Sequence, residues 1–140
     1  MFVDASAIVA ILTREAEADA LADALEAGSG PITSAVAIFE AVLGVCRKRH
    51  ASVADGREDV LEFLRVAGID TVPIGAAEAD AALSAFARYG KGTGHPARLN
   101  LGDCFAYALA VATDHILLFK GDDFIHTDIR PALPPVPETP

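Results

Sequence analysis

The apolar run at residues 116–119 (ILLF) constrains the fold more than any other feature of this chain. It shows no polar alternation, which is typical of a strand buried on both faces of a parallel sheet. Residues 2–3 and 31–33 predict two shorter strands. Residues 69–74 predict a fourth strand, which is short or lies at the sheet edge because Pro73 interrupts it.

Segments of helical periodicity separate the four predicted strands. Ser6 is placed to cap a helix that begins at Ala7, and Ser34 and Asn100 are placed to cap two others. The remaining periodic segments predict helices over residues 15–27, 35–48, 55–67, 76–89 and 100–113. In the helix over residues 55–67 we expect Val60, Leu61 and Leu64 to face inward. In the helix over residues 76–89 we expect Ala79, Leu83 and Phe86 to lie on one face.

The alternation of strands and helices predicts the α/β class. We expect a three-layer α/β/α domain with a mostly parallel central sheet over residues 1–130. Residues 131–140 contain five prolines and predict an extended tail. The length of 140 residues suits one such domain.

Four acidic residues occupy positions that a hydrophobic core would not select. Asp4 and Asp122 follow the first and last predicted strands, at the carboxyl ends where parallel sheets bind their ligands. Glu40 lies inside the most apolar helix, and Asp103 lies in the first turn of the helix after Asn100. The four side chains can therefore converge at one edge of the sheet.

Each of these acids also has a structural interpretation when it is taken alone. Asp103 suits a helix start, where acids offset the helix dipole, and Asp122 suits a turn. Asp4 can cap a neighbouring group at the strand end. Glu40 is the hardest to explain in this way, because a glutamate on an apolar helix is rarely buried without a partner.

Four ionised carboxylates cannot share one pocket without a cation. Two of them about 4 Å apart repel each other by roughly 4 kcal/mol at an effective dielectric constant near ~20. Hard divalent cations with oxygen ligands, Mg²⁺ or Mn²⁺, satisfy such a group. The same ions activate water and stabilise charge during displacement at a phosphodiester.

The charge balance limits how the chain could meet a phosphate. With 11 Lys+Arg against 20 Asp+Glu, the formal net charge is −9, which excludes a protein that coats nucleic acid by bulk charge. The charge balance does not exclude local contact between the chain and a phosphate. Arg98 and Lys120 are the preferred cations because they adjoin acidic motifs in the sequence, whereas residues 47–49 (RKR) are interpreted as a solvated helix end.

Four sequence motifs resemble those of PIN-domain proteins, in particular the VapC ribonuclease toxins of type II toxin–antitoxin systems. Residues 1–10 (MFVDASAIVA) resemble the opening of that family, and residues 39–41 (FEA) its second acidic motif. Residues 89–110 (YGKGTGHPARLNLGDCFAYALA) are similar to the third motif of one VapC subgroup. Residues 117–129 (LLFKGDDFIHTDI) resemble the fourth. The resemblance covers the chain up to the proline-rich tail.

The resemblance implies a PIN fold and a metal-dependent endoribonuclease. Asp4, Glu40 and Asp103 would correspond to the three firmest acids of the family, with Asp4 and Asp103 holding Mg²⁺, or Mn²⁺ in its place. The fourth acid would be Asp122, which we favour because it is nearer the strand end, or else Asp123. Ser6 matches a hydroxyl residue that supports the site in the family.

The resemblance also implies partners. The substrate would be RNA, and the chain would form a homodimer that a small VapB-type antitoxin inhibits. DNA would be met only indirectly, through contacts that the antitoxin makes with its own promoter.

Two other readings of the acids lead to different functions. A phosphoaspartate-type phosphohydrolase needs a second Asp two residues after the strand-end Asp, and here that position is Ser6. Receiver domains have paired acids after the first strand, but Ala5 follows Asp4. A catalytically silent PIN-like domain that only binds a partner is the other alternative.

The remaining sequence features concern the compartment. Cys46 and Cys104 lack a second Cys or His at metal-ligand spacing, so neither a disulfide scaffold nor a zinc site is expected. No run of eighteen apolar residues and no basic N-terminal segment is present, so we expect neither a membrane span nor a secretory signal. We therefore expect a cytoplasmic protein that does not associate with membranes.

Overall fold

A parallel sheet of five short strands forms the centre of the protein. The computed structural model describes residues 1–135. The strands are β1 (Phe2–Val3), β2 (Ile32–Ser34), β3 (Asp70–Val72), β4 (Ile116–Leu118) and β5 (Arg130–Pro131). Their order is β3-β2-β1-β4-β5, and every pairing is parallel. The edge position predicted for the strand interrupted by Pro73, β3, is confirmed.

Six α-helices connect the strands within the part of the chain that the structure describes. They are α1 (Ala5–Leu12), α2 (Ala18–Ala27), α3 (Ala35–Arg49), α4 (Val53–Ala67), α5 (Ala76–Tyr89) and α6 (Leu101–Val111). Ser34 and Asn100 cap α3 and α6 as predicted, through side-chain oxygens that accept from the backbone N–H groups of Ala37 and Asp103.

Both faces of the sheet are covered. Successive strand residues point to opposite faces, and Phe2, Val3, Leu117 and Leu118 are all fully buried. A sheet that is buried on both sides needs a helical layer on each, so the predicted three-layer α/β/α fold is confirmed.

The direction of chain progression reverses beside β1. The chain first adds β2 and β3 on one side of β1 and then crosses to add β4 and β5 on the other. The Asp4 backbone N–H donates to the Leu118 carbonyl oxygen at 2.9 Å, so the carboxyl ends of β1 and β4 lie side by side. This reversal creates the crevice in which open α/β sheets bind ligands.

The cap predicted for α1 is wrong. Asp4, not Ser6, is the N-cap residue, and its side chain accepts from the Ser6 backbone N–H. Ser6 lies within the first turn of α1. The strand therefore passes directly into the helix at Asp4, with no intervening loop.

The inward face predicted for α4 is also partly wrong. In α4, Val60 and Leu64 are buried, but Leu61 is exposed. In α5, Leu83 and Phe86 are exposed, because the helix packs through Ala82, Ala85 and Tyr89. Close packing against α6, the most extensive helix pairing in the fold, selects the small side chains of α5.

Strand β5 was not predicted. It consists of only two residues, one of them a proline, and it pairs with β4 at the sheet edge. The backbone N–H of Ala132 donates to the Leu117 carbonyl oxygen at 2.8 Å, so sheet contacts continue past the predicted domain end at residue 130. Residues 136–140 of the predicted proline-rich tail lie outside the described residues.

None of the helices in residues 1–135 combines the length and apolarity that crossing a membrane requires.

Candidate active site

An open cavity of about 560 Å³ lies at the carboxyl ends of β1 and β4. Three of the predicted acids, Asp4, Glu40 and Asp103, line it together. They come from the β1–α1 junction, the middle of α3 and the first turn of α6. Three segments that are distant in the sequence thus contribute carboxylates to one cavity, at the crevice where the chain reverses its direction across the sheet. The other lining residues are Ala5, Ser6, Val9, Glu15, Gly44, Arg47, Lys48 and Lys120.

Asp4 is held rigidly although it is almost fully buried. Only 5% of the residue is exposed. Its Oδ2 accepts from the Ser6 backbone N–H at 3.0 Å and from the Ser6 hydroxyl at 2.6 Å. The Ser6 hydroxyl oxygen also accepts from the Lys120 backbone N–H at 3.0 Å. Ser6 therefore joins Asp4, the acid that it was predicted to support, to the end of β4.

Glu40 enters the cavity from α3, and Gly102 of α6 leaves room for its carboxyl group. Glu40, Gly44 and Arg47 follow one another at helical spacing and all line the cavity. On the opposite side, a Cβ atom added to Gly102 in α6 would overlap the Glu40 carboxyl group. The carboxyl group thus packs directly against the backbone at the start of α6.

Asp103 is fixed by the start of its helix. Its Oδ2 accepts from the Asn100 backbone N–H at 3.1 Å, and the Asn100 side chain accepts from the Asp103 backbone N–H at 2.9 Å. This reciprocal capping box accounts for the structural interpretation of Asp103. The same side chain also lines the cavity, so its structural and functional interpretations are compatible.

The acids raise one another's pKa values. Burial raises the pKa of Asp4 against the opposing effect of the Ser6 hydrogen bonds, and burial together with the Asp4 charge raises the pKa of Glu40. The pKa of Asp103 rises to about 7, first through burial and then through the charges of Asp4, Asp123 and Glu40. The cavity therefore resists holding all of its carboxylates ionised, and it favours a positive charge placed among them.

Neither of the two acids considered for the fourth position, Asp122 and Asp123, lines the cavity, but Asp123 acts on its acids electrostatically. The charge of Asp123 contributes to the raised pKa values of Asp4 and Asp103. Asp122 lines a separate hollow with Glu17 of the α1–α2 linker. Gly121, between β4 and the two acids, adopts φ +108°, a backbone conformation that favours glycine.

The cations of the cavity differ in part from those predicted. Lys120 lines it as expected, but Arg98 does not; Arg98 is exposed in the loop before α6. Arg47 and Lys48, interpreted from the sequence as part of a solvated helix end, line the cavity instead. Their positions seven and eight residues after Glu40 put them on the same helix face, and this spacing could have revealed them.

The donor set fits a hard divalent cation. Carboxylate oxygens are the ligands that Mg²⁺ and Mn²⁺ prefer, and the mutual rise in pKa shows that the carboxylates lack a compensating charge. Within residues 1–135, however, no three carboxylate, imidazole or thiol groups are close enough to form a finished metal site. These side chains would have to move closer together to hold an ion.

Comparison with known proteins agrees with this architecture. The PIN domain matches residues 1–130. The chain belongs to the PIN-domain family. It is 44% identical to the VapC ribonuclease Mb2780c of Mycobacterium bovis and to Ribonuclease VapC42 of Mycobacterium tuberculosis, over 94% of this chain and 98% of each relative. It is 40% identical to the VapC ribonuclease R02377 of Rhizobium meliloti, over 91% of this chain and 98% of that protein.

Membership of the VapC group of PIN-domain proteins confirms the resemblance drawn from the four motifs. The first three of those motifs supply Asp4, Glu40 and Asp103 to the cavity, and the fourth supplies Lys120. Glu15 was not predicted as a site residue, and no sequence pattern marks it. Only the fold of this PIN domain brings it to the cavity.

Proposed function

We propose that this chain is a metal-dependent endoribonuclease that acts as the toxin of a VapBC-type toxin–antitoxin pair. The observation that carries the proposal is the meeting of Asp4, Glu40 and Asp103 in one cavity, in a chain that is similar to VapC ribonucleases over nearly its whole length. The reaction is hydrolysis of a phosphodiester bond in RNA. By analogy with the family, its products carry a 5′-phosphate and a 3′-hydroxyl.

The chain's own residues have distinct tasks in this proposal. Asp4 and Asp103 would hold Mg²⁺, for which Mn²⁺ could substitute, and Asp123 would complete the acidic group. Glu40 would orient the attacking water or hold a second ion. When bound, a divalent ion supplies a lowered pKa for water and neutralises charge on the phosphate. Ser6 fixes the Asp4 carboxylate, and Lys120 attracts the RNA backbone.

The proposal is tested by RNA cleavage with purified protein. Asp4→Asn retains an oxygen that can accept from Ser6, so the fold survives while a charge at the site is lost. We expect Asp4→Asn to abolish cleavage and growth arrest. Asp19→Asn, an exposed acid on α2, is the matched control and retains both. EDTA stops cleavage by the unaltered chain, and Mg²⁺ or Mn²⁺ restores it.

Unchanged cleavage by Asp4→Asn would refute the assignment of the site. Full activity in EDTA would refute the metal requirement. A chain that is folded but never cleaves RNA would favour the catalytically silent, partner-binding alternative. Trapping of an aspartyl-phosphate on Asp4 would favour the phosphoaspartate-type phosphohydrolase.

We further propose a VapB-type antitoxin and a second copy of the chain as partners. The VapC names of the relatives support the antitoxin. Phe39 and Leu101, each about two-thirds exposed, line a shallow apolar hollow beside Glu40. Exposed apolar patches of this kind mark contact surfaces. DNA contact through the antitoxin alone and a cytoplasmic location stay predictions.

Co-expression with the product of the adjacent gene tests both partners. We expect a stable complex that no longer cleaves RNA, and light scattering of the isolated chain should give the mass of a dimer. A monomeric chain that no adjacent gene product inhibits would contradict this part of the proposal.

A further inference from the structure

Glu15 links two lysines at the rim of the cavity. Its carboxylate is paired with Lys48 of α3, and its Oε2 lies 3.2 Å from the Nζ atom of Lys120 after β4. Glu17 adds a second, longer contact to Lys120, at 3.5 Å. The Lys48 ammonium is the largest cause of the lowered pKa of Glu15. One carboxylate thus lies between two ammonium groups from different elements.

The linker between α1 and α2 holds Glu15 in this position. The Glu15 backbone N–H donates to the Ala10 carbonyl oxygen at 3.0 Å, and its carbonyl oxygen accepts from the Ala18 N–H at 2.9 Å. The Glu15 side chain is only 15% exposed, whereas those of Lys48 and Lys120 are 52% and 35% exposed. The carboxylate is therefore anchored, and the ammonium groups remain accessible from solvent.

The two lysines are close to the acids of the active site. Lys48, Lys120 and Glu15 line the same cavity as Asp4, and the Lys120 backbone is joined to Asp4 through the Ser6 hydroxyl. A phosphodiester chain that places one phosphate at the acids therefore brings a neighbouring phosphate near these lysines.

We propose that Glu15 occupies, in the free protein, the binding position of an RNA phosphate that neighbours the cleaved one. A carboxylate and a phosphodiester each present two oxygens to a pair of ammonium groups. RNA binding displaces the Glu15 carboxylate from Lys48 and Lys120 and replaces it with the phosphate. Glu15 is thus an internal competitor that holds both lysines ready and weakens RNA binding. This inference rests on the proposed ribonuclease function and names a second, non-scissile phosphate subsite.

The test measures binding of a fluorescein-labelled, single-stranded oligouridylate 12-mer by anisotropy. All proteins carry Asp4→Asn, so the probe stays intact. Glu15→Gln removes the competing charge, and Glu62→Gln, on α4 and paired with Arg65, is the matched control for net charge. We expect Glu15→Gln to lower the Kd for RNA about threefold or more, as release of a half-exposed ion pair allows, and Glu62→Gln to change it much less.

A double-mutant cycle with Lys48→Gln tests whether Glu15 weakens RNA binding by competing for Lys48. Lys48→Gln weakens RNA binding, and much of the gain from Glu15→Gln disappears when Lys48 is also replaced. The inference is overturned if Glu15→Gln binds RNA no tighter than Glu62→Gln does. It is also overturned if Lys48→Gln leaves RNA binding unchanged, a result that can be obtained even if Glu15→Gln does not fold.

A cleavage assay with the protein that retains Asp4 separates this inference from the proposed function. If that protein cleaves RNA while Glu15→Gln binds no tighter, only the phosphate subsite is refuted. If it neither binds nor cleaves RNA with Mg²⁺ or Mn²⁺, the ribonuclease function fails, and the inference fails with it.

Discussion

Replacement of Gly102 by alanine should impair catalysis while leaving the protein folded. A Cβ atom at this position would overlap all three atoms of the Glu40 carboxyl group and no closer backbone atom. Ordinary contact begins near 3.4 Å, so the carboxyl group must withdraw by about 1 Å. Because it is the end of a flexible side chain, this movement costs little conformational energy.

We expect this movement to affect kcat/KM more strongly than it affects the free energy of unfolding. Metal ligands tolerate about 0.2 Å of error, and a misplacement near 1 Å can reduce a rate about 100-fold. We therefore expect kcat/KM to fall by roughly 10- to 100-fold, equivalent to about 1.4–2.7 kcal/mol. Gly102 does not have a positive φ, so alanine in this first helical turn should leave the free energy of unfolding unchanged or raise it by up to about 1 kcal/mol.

Cleavage kinetics, Mn²⁺ titration and thermal unfolding together test this reasoning. The decisive comparison is a double-mutant cycle with Glu40→Ala, in which Gly102→Ala should have no further effect because its target is gone. Wild-type kinetics and Mn²⁺ affinity in Gly102→Ala would show that the position of the Glu40 carboxyl group is not critical. A loss that persists in the Glu40→Ala background would show that Gly102 acts through something else.

Two further predictions concern the other acids of the cavity. Asp123→Asn should lower kcat/KM about tenfold or more, and Asp122→Asn should change it less than about twofold, because the Asp123 charge is among the causes that raise the pKa values of Asp4 and Asp103. The reverse order in a cleavage assay would support the preference for Asp122 that was drawn from the sequence. Asp103 has a pKa of about 7 when folded and 3.8 as its ordinary value, so the metal-free protein should lose stability as pH rises from 3.8 to about 7. Asp103→Asn should therefore raise the Tm in EDTA more at pH 8 than at pH 5, and equal shifts at the two pH values would contradict the electrostatic account.

Sequence patterns predicted the parts of the fold that depend on interactions between residues close together in the chain. The run at residues 116–119 marked a strand buried on both faces, and the caps Ser34 and Asn100 marked two helix starts. The prediction failed where the partner surface decides. Leu61 is exposed although its spacing in α4 predicted an inward position, and β5 forms from two residues that pair with the neighbouring β4.

The candidate site shows the same division. Asp4, Glu40 and Asp103 could be identified from the sequence, because each is a carboxylate next to apolar segments. The choice between Asp122 and Asp123 could not be made in this way, because the effect of each charge on Asp4 and Asp103 depends on the path of the chain after β4. Arg47 and Lys48 could have been found from their spacing relative to Glu40, but their chemical surroundings could not.

The amino-acid order alone determined the class of the fold, the acidic motifs and the family, since these depend on periodicity and on residue types at fixed spacing. The tertiary structure decided which side chains meet. Glu15 lies between Lys48 and Lys120 only because the α1–α2 linker, the end of α3 and the end of β4 come together in space. Ion pairs across such distances in sequence depend on the packing of whole elements, and no local pattern encodes them.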